Sequence, residues 1–203
     1  MNRKLALTLG ALIAFAGPAA MAQTTTPQTT TNAKPAPIQD RKTDQQDRIA
    51  NGVQSGQLTP GESKNLETKE AGINHEESNM RSEDNGHLTA ADRAKINNQQ
   101  NRVSNQIYTD KHNAAATHYG PGEVGQRQRL QQDRIANGMK SGQLTAGEST
   151  RLEHQQQSIN REKNGMRAAN DGKLTAGDKA ALNRRENRAS KNVYAKKHNG
   201  RRS

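Results

Sequence analysis

The chain has no cysteine, no tryptophan and a single phenylalanine, Phe15, among its 203 residues. Disulfides, thiolate metal sites and a lipid-bearing cysteine are therefore excluded. Aromatic residues make up 2% and apolar residues 29% of the whole, and the mean hydropathy is -1.16. Beyond residue 22 the large aliphatics are 8 Leu, 7 Ile and 4 Val, a stock so small that composition alone would indicate disorder. These figures argue against an integral membrane protein and against a deep, dry active-site pocket.

The apolar residues that exist are unevenly placed. Asn2-Arg3-Lys4 is a short basic stretch, Leu5 to Ala16 an apolar run, and Ala20-Met21-Ala22 a small-residue cleavage site. This is the pattern of an export signal, with cleavage after Ala22 and release into the periplasm or medium. At about 12 residues, broken by Gly17-Pro18, the run is too short for a membrane anchor. Residues 23 to 40 are rich in Thr, Pro and Gln, including Pro27, Pro35 and Pro37, and are expected to be a disordered linker.

Most of the remainder is a duplication. Residues 46 to 113 align without gaps on residues 132 to 199, at an offset of 86, with 36 identities in 68 positions. The large aliphatics fall opposite apolar residues, as in Ile49/Ile135, Val53/Met139, Leu58/Leu144, Leu66/Leu152, Ile73/Ile159 and Ile96/Leu182. The expected organisation is a first helical repeat over 41–113, a Gly/Ala linker over 114–126, a second repeat over 127–199 and a basic tail over 200–203.

Within each repeat the phrase Gly-x-Leu-Thr-x-x-Glu/Asp occurs twice. Glycine permits a turn. Thr59, Thr89, Thr145 and Thr175 are placed to cap the first free amides of a helix, and Glu62, Asp92, Glu148 and Asp178, three residues on, are placed to reach back and to complement the helix dipole. Pro60 falls at the first helical position, where it is tolerated. After each cap the apolar residues recur at about two-turn spacing, as in Leu66, Ile73 and Met80, which gives thin apolar stripes on otherwise polar helices. The pattern predicts an all-α fold of two three-helix units, with helices over 42–54, 60–83, 90–112, 128–140, 146–169 and 176–198. With so little apolar surface, single units are expected to be marginal; packing of the units together, self-association and folding on a partner all remain open as remedies.

Two short resemblances attach to the same phrase. Residues Asn170 to Asp178 resemble the second half of an EF-hand loop, which would imply calcium binding. The first and third ligand positions, however, are Arg167 and Ala169, so no loop presents a full oxygen set. A middle helix of some 23 residues would also hold the two loops of one unit about 35 Å apart. No metal or other cofactor is expected. Leu58-Thr59, Leu88-Thr89, Leu144-Thr145 and Leu174-Thr175 also resemble the Leu-Thr-x-x-Gln motif of the Spy/CpxP periplasmic chaperones, with acids replacing Gln, and the chain as a whole is similar to small exported basic helical repeat proteins of bacteria. The first of these likenesses implies an exported helical cradle for unfolded clients or envelope-stress sensing.

Catalytic signatures are missing. Gly120 to Gly125 reads Gly-Pro-Gly-Glu-Val-Gly and matches G-x-G-x-x-G, but no strand precedes it, and it is expected to be linker. His75-Glu76 begins no H-E-x-x-H, because position 79 is Asn. No hydrolase context surrounds any serine. The chain is expected not to be an enzyme, and no small-molecule substrate is evident.

Charge separates the two repeats. Residues 40–113 carry 10 Lys/Arg against 12 Asp/Glu, net -2, whereas residues 126–199 carry 16 against 7, net +9. Arg184, Arg188 and Lys191 share one helix face where the first repeat has Asn98, Arg102 and Asn105, and Lys196 and Lys197 stand where it has Asp110 and Lys111. With Arg185 and the tail residues Arg201 and Arg202 they form a basic strip, the footprint expected for an anionic polymer or envelope surface such as DNA, lipopolysaccharide phosphate or anionic lipid. With Tyr194 alone in this region, sequence-specific recognition of single strands is not expected.

Overall fold

The computed structural model describes residues 37–202. Six helices are present, α1 (Ile38–Ser55), α2 (Pro60–Glu83), α3 (Ala90–Lys111), α4 (Glu123–Lys140), α5 (Ala146–Ala169) and α6 (Ala176–Lys197), and the described residues contain no strand. The expected signal peptide, its cleavage site and nearly all of the leader lie outside the described residues.

The fold is all-α, with helix lengths of 18, 24 and 22 residues occurring in that order twice. Four helices begin at a Thr/acid capping box: Thr59/Glu62, Thr89/Asp92, Thr145/Glu148 and Thr175/Asp178. In the first, Thr59 Oγ1 accepts from the Glu62 N–H at 3.3 Å while Glu62 Oε2 accepts from the Thr59 N–H at 2.9 Å. The turns before α2 and α5 need a left-handed residue, supplied by Gly56 at φ 75° and Gly142 at φ 65°, where a Cβ would be strained.

Two helix starts differ from the sequence expectation. Helix α1 starts at Ile38 and α4 at Glu123, four and five residues before the expected starts at 42 and 128. Residues 123–126 are thus helix, not linker. An apolar residue anchors each added turn: Val124 is buried against Ile159, Leu182 and Ala189, and Ile38, 86 residues before it, packs against the first core. The remaining connection crosses back over the first repeat, where the Thr117 N–H donates to Gly56 O at 3.0 Å.

The described residues, 37–202, form one compact body. Helix α2 lies along α5 and α1 along α4, so these two helices of the first repeat meet their own counterparts, while α3 packs on α1 and α2, and α6 on α4 and α5. One core therefore crosses the repeats: Ile49, Ala50, Val53, Leu58 and Leu66 belong to the same cluster as Ile135, Ala136, Met139, Leu144 and Leu152. Joining two thin stripes into a shared core raises the fraction of apolar surface hidden from water, which a single 70-residue unit cannot do as well. Close approach at the turns completes it. A Cβ on Gly52 would stand 2.6 Å from Leu58 Cγ, and one on Gly138 2.7 Å from Leu144 Cδ1.

Apolar residues do not fill this core alone. Gln45, Gln100, Gln128, Gln131, Gln132 and Gln156 are buried with it. Their amides tie helices together: Gln45 Nε2 donates to Gln100 O at 2.6 Å, Gln131 Nε2 to Glu186 O at 2.9 Å, and Gln100 Nε2 to Ile38 O at 3.0 Å. The bonds made by these amide N–H groups fix the lateral position of each helix, while Gln45, Gln100 and Gln132 keep a buried Oε1 without a partner.

Candidate anionic-polymer interface on the last helix

Helix α6 has two faces set by one spacing. Leu182, Glu186, Ala189 and Val193 are buried, at intervals of four, three and four. Arg184, Arg188 and Lys191 repeat the first two of those intervals two positions later, about 200° around the helix, and all three are exposed. Among the described residues none of the three forms an ion pair. Arg201 and Arg202 are also exposed, just beyond the helix, where the Arg201 N–H donates to Asn199 Oδ1 at 3.0 Å.

The other three basic residues of the expected strip are placed differently. Arg185 follows Arg184 by one position, a rotation of about 100°, which turns it onto α5. There it pairs with Glu162 and donates to Ser158 Oγ at 3.0 Å. Lys197 is half-buried: its stem covers Gly138 and its Nζ lies 3.5 Å from Arg134 O. Burial and the neighbouring Arg134 push its ammonium below the ordinary lysine range. Lys196 is half-buried too, and its charge acts on the Glu148 carboxyl.

That carboxyl belongs to a cap, as do its three counterparts. Glu148 is 2% exposed. Burial opposes its charge, but hydrogen bonds from Asn199 and from Thr145 outweigh that cost and hold it below the usual carboxylate range. Glu62 Oε1 accepts from Asn113 Nδ2 at 2.7 Å, as Glu148 Oε1 does from Asn199 Nδ2 at 2.5 Å. The loop acids are thus engaged with helix ends, and among the described residues no group of three or more His, Cys, Asp or Glu is arranged to hold a metal ion.

A second polar feature escapes sequence reading. Glu67 on α2 and Glu153 on α5 are both completely buried, and accept from Gln46 Nε2 at 3.2 Å and Gln132 Nε2 at 3.0 Å respectively. Burial pushes the Glu153 carboxyl up to about 8, and pushes Glu67 well above the ordinary range, with Glu70 and Glu153 adding to the effect. In the sequence these acids sit beside Leu66 and Leu152 on helices rich in charge, and nothing local distinguishes them from a solvated face.

Comparison of the chain with protein-family models, curated proteins and solved structures gives no match.

Proposed function

We propose that this is an exported, non-enzymatic helical protein that binds phosphate-rich or carboxylate-rich polymers of the cell envelope or its surroundings. Contact runs through the outer face of α6 and the residues that follow it. The observation carrying this reading is the row Arg184, Arg188 and Lys191, exposed and free of ion pairs among the described residues, continued by Arg201 and Arg202. Exposed cations in a row release counterions when they meet a polyanion, whatever its sequence. Arg185, Lys196 and Lys197 support the face from within: Arg185 fixes α6 to α5, while the other two bring charge to the C-terminal end of the helix, where it complements the dipole.

Because the repeats share a core, the test uses the full chain. Replacing Arg184 and Lys191 by the residues of the first repeat, R184N/K191N, changes only exposed positions. Retention on heparin at physiological salt is expected to fall well below that of the parent chain, with an unchanged thermal midpoint; equal retention would remove the basis of the proposal. Export belongs to the same reading. N-terminal sequencing of protein recovered outside the cytoplasm is expected to begin at Gln23.

A further inference from the structure

A cavity of about 450 Å³ opens at the other end of the second repeat, between the start of α4, the end of α5 and the turn into α6. Its volume lies within the roughly 300–1,000 Å³ of small-molecule sites. The Gly120–Gly125 segment forms one wall. The segment folds so tightly that a Cβ on Gly125 would stand 2.0 Å from Gly120 O, so the position tolerates only glycine. Gly122 caps α4 without a side chain, leaving the first-turn N–H groups of that helix with no side-chain acceptor.

Four cations, Lys163, Arg167, Lys173 and Lys179, line the rest. Among the described residues none of them is in an ion pair. Lys163 is only 4% exposed, and its Nζ has the neutral Gln128 Oε1 as partner at 2.5 Å. The Arg167 Nε–H is buried without an acceptor, and its Nη2 lies where a side chain on Gly120 would crowd it, 3.0 Å from the Cβ position. Burial and the Arg167 charge push Lys163 below the ordinary range; Glu186, itself buried, is the one acid whose field offsets this. Glu123 also lines the cavity, but its carboxylate accepts from Asn183 at 3.3 Å and lies 3.7 Å from Arg127.

The first repeat shows what a closed version looks like. The counterparts of Gln128 and Lys163 are Lys42 and Glu77, which form a partly buried ion pair at 3.1 Å, and Glu77 also takes Arg81 at 2.8 Å. In the second repeat the carboxylate has been replaced by an ammonium, and its partner by an amide. The buried Lys163 ammonium and the half-buried Arg167 guanidinium thus lack the carboxylate that Lys42 and Arg81 share in the first repeat, and the exposed Lys173 and Lys179 add further positive charge at the mouth, so an anionic ligand is favoured there.

We infer that this cavity is a binding site for a phosphoryl group, free or as a small monoester, held by Lys163, Arg167, Lys173 and Lys179 and by the N-terminal amides of α4. A helix N-terminus and a guanidinium both accept an anion, and with four cations lining one cavity a group with about two negative charges and several acceptor oxygens is matched better than a single carboxylate. The site is separate from the outer face of α6 and stands whether or not that face binds polymers.

Calorimetric titration of the full chain with inorganic phosphate, and in parallel with glycerol 1-phosphate, tests the assignment. One saturable site is expected, with amide shifts in ¹⁵N spectra concentrated at Gly122 to Gly125; tighter binding of the monoester would assign a phosphorylated small molecule, and equal binding free phosphate. The double variant Q128K/K163E, which rebuilds the Lys42–Glu77 pair of the first repeat, is expected to lose affinity at least tenfold, about 1.4 kcal/mol, and Arg167→Gln provides a second variant at a half-buried position should the first fail to fold. R184N/K191N is expected to bind phosphate as the parent does. No saturable binding up to about 10 mM phosphate, or parental affinity in both pocket variants, overturns the inference.

Discussion

Glu67 and Glu153, 86 residues apart in the chain, face one another across the packed α2 and α5 helices with no exposed surface on either, each held by a glutamine from the helix behind it. Each carboxyl retains one oxygen, Oε1, without a hydrogen-bond partner. Two carboxylates in such a place cannot both stay charged at low cost, and protonation is the relief.

This arrangement makes stability fall as pH rises. Unfolded, both acids titrate near the ordinary glutamate value of 4.5; folded, Glu153 titrates at about 8 and Glu67 well above 4.5, and the adjoining Glu70 is pushed to about 7 by burial, against the pull of Lys42. Between those values the folded chain holds more protons than the unfolded one, so each step up in pH favours unfolding. The benefit is complete below about pH 4.5, and the shares of Glu70 and Glu153 are lost as pH rises through about 7 and about 8. Denaturant titrations over this window are expected to show a loss of several kcal/mol, and the isosteric pair E67Q/E153Q is expected to remove the part due to Glu67 and Glu153, leaving that of Glu70 and of the buried Glu186. A parent chain whose stability is level or rises through this range would contradict the assignment of the buried pair.

The contact between Gly138 and Leu144 gives an opposite sign to a substitution that ordinarily helps. In an open helix position Gly→Ala stabilises by about 0.5–1 kcal/mol, and Gly165, with nothing within 4 Å of its Cβ position, is expected to follow that rule. Gly138→Ala drives a methyl to 2.7 Å from Leu144 and is expected to cost about 1–3 kcal/mol through overpacking. Chemical denaturation of the two variants side by side measures the contrast.

The caps differ in worth by what else their acids hold. Thr89→Ala, at an exposed cap, is expected to cost about 1 kcal/mol. Glu148→Ala removes the reach-back to Thr145 and the hydrogen bond from Asn199 Nδ2, and does so at a position 2% exposed, so a larger loss, roughly 2 kcal/mol, is expected from thermal unfolding. Because Glu148 sits below the usual carboxylate range, its contribution is present above about pH 4.5 and fades as pH falls through its folded value.

What the sequence reveals follows the range of the forces involved. The starts of α2, α3, α5 and α6 are legible because a capping box is made within four residues, and Thr145 with Glu148 is complete in itself. The early starts of α1 and α4 are not, because Ile38 and Val124 owe their place to cores assembled from distant helices. Gln45 reads as a surface residue; only the fold brings it to Gln100 O, 55 residues on. Arg184 and Arg185 are indistinguishable as composition, yet one turn angle commits the second to Glu162 and leaves the first in solvent. The Gly120–Gly125 segment likewise reads as a connection, since Lys163 and Arg167 approach it only when α5 lies alongside.

The most direct test of polyanion binding is its salt dependence. Fluorescence anisotropy of a labelled DNA duplex, titrated with the full chain over a range of sodium chloride concentrations, yields a slope of log affinity against log salt, and three to five phosphate contacts correspond to a slope of about -3 to -5. The expected result is a slope in that range, flattened by about 2 in R184N/K191N. A salt-independent affinity, or a slope the double variant leaves unchanged, would show that the outer face of α6 is only a solvated surface.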